Sequence, residues 1–172
     1  LAQGAPRMTE RAPERAEVEV KGHYLPAMAG IESAEAATRA LQQLSMSPAL
    51  DPRQARATAE LADEGMDVAR ASTDRLASLV TLSPEARDDA ESAALQLERA
   101  HATLETIQSE VGGVQGRLRR DEAEEVRDLS SKLYGELRAA RGDMKKVAGA
   151  QRISTDVEMK EKDGKRAVPI RR

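Results

Sequence analysis

Ala86, Ala90, Ala93, Leu97, Ala100, Leu104, Ile107, Val111, Val114 and Leu118 follow one another at spacings of four and three, with no charge among them. An apolar step of about 3.5 residues keeps one stripe of an α-helix turned toward a neighbour, which is the pattern of a coiled-coil seam. A lone helix showing that stripe to water would leave most of its stability unrealised, so the pattern demands a second helix, from this chain or from another copy. Ala55, Ala59, Ala62, Met66, Ala69, Thr73, Leu76 and Val80 repeat the same spacing, with Leu61, Val68 and Leu79 expected to widen the buried face. Two such stripes in succession favour pairing within the chain.

The breaks between the stripes carry capping chemistry. Asp51-Pro52 and Ser83-Pro84 each set an N-cap side chain before a proline at the first helical position, where the missing amide hydrogen costs nothing. Ser47-Pro48 ends a preceding short helix, expected from about Glu32 to Ser45, with Ala34, Ala37, Leu41 and Leu44 on one side and Ile31 at its start. The connection at Leu82-Ser83-Pro84 is short enough to make helices two and three antiparallel neighbours. Gly112-Gly113 predicts the end of helix three, although the stripe continues in phase to Leu118 and a turn near Arg120-Asp121 is the alternative. The last helix carries Val126, Leu129, Leu133, Leu137, Ala140, Met144 and Val147, including one four-four step. Its acidic start, Asp121 to Glu125, and its basic end, Lys145-Lys146, suit the helix dipole.

The ends of the chain read differently. Residues 1–16 mix Pro, Gly and charge without a period and predict a flexible arm. Glu17-Val18-Glu19-Val20-Lys21 alternates strictly, which predicts a short strand closed by Gly22 and Pro26. Residues 157–170 read as a hairpin about Asp163-Gly164, and residues 151–172 form a basic tail. The expected architecture is therefore mainly α: an antiparallel bundle of one short and three long helices over residues 17–150, with a small β element from the N-terminal strand and the C-terminal hairpin.

Composition narrows this picture. The 172 residues contain no Cys, Phe or Trp and only two Tyr, so the core is thin and alanine-rich, and thiolate ligands, disulfides and cysteine nucleophiles are excluded. Net charge is −3: residues 1–30 balance, residues 31–150 sum to −6 and residues 151–172 to +3, so no whole-molecule field points to nucleic acid. No run is long and apolar enough to span a membrane. Leu1-Ala2-Gln3 reads as the tail of a signal-peptidase site, with a start at Met8 as the rival; export to a periplasm or envelope and cytoplasmic residence are equal expectations.

Candidate chemistry is sparse. Glu98, His101 and Glu105, at i, i+3 and i+7, place two carboxylates and an imidazole on one helix flank. A bundle metal site would need a second Glu-x-x-His and further inward glutamates; a solvated flank is expected, and no metal, cofactor or catalytic residue is assigned. Gly112-Gly113 with Gly116 lacks the strand and the Lys-Ser or Lys-Thr of a phosphate loop. The candidate interaction residues are Val18 and Val20 on the strand, Tyr24 and Leu25 as an anchor, and Lys160, Lys162, Lys165 and Arg166 on the basic tail. The expected role is a non-enzymatic structural or adaptor protein, assembling with itself or a protein partner through long helical faces and strand addition. Two alternatives are an anionic-surface binder, for nucleic acid or lipid, working through the basic tail, and a bundle that binds metal or a small ligand.

Overall fold

A computed structural model describes the backbone of residues 4–153, and the side chains from Arg15 onward. Four helices follow in order: α1 (Gly4–Ser45), α2 (Pro52–Ala77), α3 (Pro84–Gly112) and α4 (Arg120–Ala150). Short loops join them, and α1 packs on α2, α2 on α3, α3 on α4 and α4 back on α1, with no diagonal contact. That ring is an up-down-up-down antiparallel bundle. No helix among the described residues is long and apolar enough to cross a membrane.

The stripes read from the sequence form the interior. From Ala86 to Val111 every one of the eight seam residues is buried, and on α2 the seven from Ala55 to Leu76 are buried as well. The caps form as expected: Asp51 accepts from the Arg53 amide at 2.9 Å and Ser83 from the Ala86 amide at 3.2 Å. Helix α3 does end at the glycines. The stripe runs on in phase because Leu118, and Val114 in part, fold back from the loop onto the core. Arg56 holds that turn by donating to the carbonyls of Val111 and Val114 at 3.2 and 3.5 Å.

Four expectations need correction. Val80, expected to close the α2 stripe, is 92% exposed, because α2 ends at Ala77 and the helical spacing no longer applies beyond it. The strand over residues 17–25 is helix, part of an α1 that starts at Gly4, and no strand occurs among the described residues. Val20, Tyr24, Ala27, Ile31, Ala34, Thr38, Leu41 and Ser45 make a fourth seam at the same spacing, all buried, while Val18 turns outward. Pro26 does not stop this helix because it and Gly22, whose carbonyl loses its amide partner, both lie on the solvent side where water can serve that carbonyl. Leu61 and Val68 do not widen the buried face of α2; they are 57% and 48% exposed. On α4 the core position is Ser130 rather than half-buried Leu129, and its hydroxyl donates to the Val126 carbonyl at 2.6 Å, which restores a strict four-three spacing. The expected hairpin over residues 157–170 lies outside the described residues.

Alanine supplies twelve of the 31 buried apolar residues, which lets helices approach closely. The approach is tightest where Gly30 of α1 meets Gly65 of α2. A Cβ at position 30 would lie 2.5 Å from the Gly65 carbonyl oxygen and 2.8 Å from the Ala69 nitrogen; one at position 65 would lie 2.8 Å from the Gly30 oxygen. Backbone cannot yield as a side chain can, so α1 and α2 would have to separate. Gly30→Ala and Gly65→Ala are each expected to lower the unfolding free energy by about 1–3 kcal/mol. Gly22→Ala, with open space at its Cβ, should raise it by up to about 1 kcal/mol through helix propensity. Urea denaturation checks this; equal stabilisation by all three would contradict the close crossing.

Candidate functional site

Among the described residues the buried polar side chains are five hydroxyls, most of them bonded to the helix backbone, and Glu35, so the groups to weigh lie where helices meet. On the α2–α3 side, His101 Nε2 stands 2.6 Å from Glu105 Oε1, and its buried Nδ1 stands 4.0 Å from Asp63 Oδ1 without a hydrogen bond. Burial, and then the neighbouring Asp67 carboxylate, push Asp63 above the usual carboxylate range, with His101 opposing. Glu98 does not join this group: its Oε1 accepts from Arg70 Nε and a terminal nitrogen at 3.0 and 2.8 Å. Among the described residues no three His, Asp or Glu side chains are arranged to hold a metal ion.

The α1–α4 side carries the most unusual group, which the sequence reading missed. Glu35 follows the seam residue Ala34 and is only 6% exposed. Its Oε1 lies 3.3 Å from Arg141 Nε yet accepts no hydrogen bond. Burial raises its pKa; the charge of Arg141 opposes that, and Glu32 adds to it. The same residues line a groove of about 450 Å³ with Arg39, Ala36, Ala40, Gln43 and Tyr134. Arg39 and Arg138 both sit against the Tyr134 ring, at 5.6 and 5.9 Å from its centroid. A buried acid beside a seam and a tyrosine beside Leu133 leave no periodic trace; only knowing that α1 pairs with α4 would have brought them together.

A larger open hollow of about 850 Å³ lies at the end of the bundle, between Asp51–Arg56 and the glycine turn Gly112–Arg117. Its best-placed cation, Arg56, is occupied by the carbonyls of that turn.

Of the expected interaction residues, Val20 and Tyr24 are core side chains, 1% and 5% exposed, so Tyr24 is no surface anchor. Val18 and Leu25 face outward, 70% and 52% exposed. Strand addition at Val18 and Val20 has no basis here, because helical backbone groups are already paired along the helix. Lys160, Lys162, Lys165 and Arg166 lie outside the described residues.

The fold thus defines an antiparallel four-helix bundle with surface ion pairs. No protein-family model, curated protein or solved structure matches this chain.

The Glu35 carboxyl generates a pH-dependent prediction. Its folded pKa is raised, so the folded protein holds the proton more tightly than the unfolded chain does, and stability falls as pH rises. The burial penalty is absent below the ordinary glutamate range and complete above the raised value. Relative to Glu35→Gln, wild type should therefore gain unfolding free energy as pH is lowered through that window. Arg141→Ala should cost about 1–3 kcal/mol near neutrality, by stranding the buried carboxylate, and less in acid. Urea midpoints across a pH series check both; a pH-independent difference between wild type and Glu35→Gln would contradict the assignment.

Proposed function

We propose that this chain is a structural or adaptor protein that assembles, with itself or with a protein partner, through the outer faces of its long helices. The observation that carries this reading is a division of labour between two sets of small and apolar residues. Those inside close all four seams within one chain. A second set stays outside: Leu25, Leu61, Val68 and Leu95 are about half exposed, and the helical glycines Gly22, Gly135 and Gly142 have open space where a Cβ would be. Each is an outward position, distributed over the four helices, where another surface can make apolar or close contact at low desolvation cost.

Sedimentation of the full chain across a wide concentration range, with cross-linking in the source cells, tests the proposal. Assembly above the monomer, or cross-links to a defined protein that map to outward helix positions, is expected. A monomer at every concentration with no protein cross-link would overturn it.

A further inference from the structure

The open hollow at the end of the bundle is walled on one side by the start of α2 and on the other by the turn between α3 and α4. Its charged lining is Arg53, Arg56 and Arg117 against one carboxylate, Asp51. Asp51 caps α2 by accepting from the Arg53 amide at 2.9 Å, so the first turn of that helix has its own acceptor. Arg53 and Arg117 are exposed, and among the described residues their side chains meet no carboxylate and donate no hydrogen bond. Arg119 and Arg120, just beyond, do find Glu122 and Glu124, at 3.1 and 3.3 Å. Arg56 commits only Nη1, to the Val111 and Val114 carbonyls, which fixes the turn across from α2; its other two nitrogens have no partner among the described residues. The backbone adds donors. Val114, Gln115, Gly116 and Arg117 line the hollow in succession, and none of their amides donates a hydrogen bond among the described residues. Gly116, at φ +91°, needs to be glycine. Gly112 and Gly113 do not: φ at Gly113 is −90°, and a Cβ at either position meets nothing within 4 Å.

We infer that this hollow binds a phosphate-bearing anion of more than one negative charge, held between the guanidinium groups of Arg53 and Arg117 and the amides of the glycine turn. The site does not depend on the assembly reading above. A guanidinium fork pairs two N–H groups with two phosphate oxygens. Successive amides left unpaired in a turn form a concave anion cradle, and the glycines let an oxyanion come close to that backbone. This is not the phosphate loop excluded from the sequence, because no strand precedes the turn and the cations reach it from α2 as well as from the turn itself. Asp51 opposes any anion, and three arginines outweigh it, which favours a ligand with charge to spare over a monoanion. A hollow of about 850 Å³ has room for such a group. Its apolar lining is Ala49, Pro52 and Val114, with no aromatic ring, so the chemistry recognised is phosphate and not a stacked base.

Calorimetric titration of the full chain with inorganic pyrophosphate tests the inference, in about 150 mM salt so that long-range attraction is screened. Wild type should bind at one saturable site with a Kd below about 1 mM, and the amide resonances of Val114 to Arg117 should shift on binding. Arg53→Gln combined with Arg117→Gln alters exposed side chains that have no partner to lose, so the urea midpoint should stay at the wild-type value while binding weakens about tenfold or more. Lys165→Gln combined with Arg166→Gln, on the basic tail, should bind as wild type does. Vesicles of phosphatidylcholine carrying phosphatidylinositol bisphosphate separate the two sources of phosphate. Chain held on them and released by pyrophosphate assigns the group to a lipid headgroup; chain left in solution, or held but not released, assigns it to a free polyphosphate. No heat and no amide shift up to about 10 mM pyrophosphate, where only weaker association escapes detection, would overturn the site. So would binding that the tail variant loses and the Arg53 and Arg117 variant keeps.

Discussion

The backbone contact between Gly30 and Gly65 constrains everything else in this bundle. Two helices that touch at that distance leave room between them only for small side chains, and Ala69 of α2 and Ala34 and Ser33 of α1 stand at the crossing. The larger side chains that fill the interior include Ile31 and Met66, next in sequence to the two glycines, and Leu41, Leu76, Leu97, Leu104, Ile107, Leu133 and Leu137. A narrow α1–α2 contact also explains why Leu61 and Val68 stay outside. The buried face of α2 is complete without them. A single close crossing therefore sets which α2 residues are core, and holds α1 in the register that carries Val20 to Ser45 along the bundle.

Polar groups enter this interior on restricted terms. Thr38, Thr103 and Ser130 return their hydroxyl protons or lone pairs to the backbone or a neighbour: Thr38 donates to the Ala34 carbonyl at 2.7 Å, and Thr103 lies 2.6 Å from Glu136. Such hydroxyls specify position without offering reactive chemistry. Thr73, whose buried hydroxyl has no partner among the described residues, and Glu35 are the exceptions, and the burial of Glu35 exceeds what one ion pair to a partly exposed arginine satisfies. Glu35 belongs to the α1–α4 seam, where the helices are separated widely enough to leave a groove. The bundle thus concentrates tight packing on one pair of faces and polar variation on another.

Much of this was legible in the residues and some was not, for identifiable reasons. The α2 and α3 stripes, the Asp51-Pro52 and Ser83-Pro84 caps and the break at Gly112-Gly113 could be read because local spacing and capping chemistry point the same way there. Helix α1 was obscured because Val18 and Val20 mimic a strand over five residues, and Gly22 and Pro26 mimic its end. The eight-position seam from Val20 to Ser45 is the longer signal, and two of its members, Thr38 and Ser45, are polar. Hydropathy picks Leu129 over Ser130 on α4 for the same reason: a hydroxyl that bonds the preceding turn behaves as an apolar side chain, and hydropathy does not record that. The Glu35, Arg39, Tyr134, Arg138 and Arg141 group depends wholly on the pairing of α1 with α4. The expectation of α1 as a strand and a separate short helix could not have assembled it.

Hydrogen exchange at individual amides tests the central claim, that α1 is one helix held against α2 at Gly30, more directly than any other measurement. The account predicts that the amides of Tyr24, Ala27, Gly30 and Ile31 exchange as slowly as those of Leu97, Leu104 and Ile107 in α3, because both sets open only when the bundle does. Rapid exchange at Tyr24 to Ile31 alongside slow exchange in α3 would show that α1 stops short of this crossing and would contradict the account.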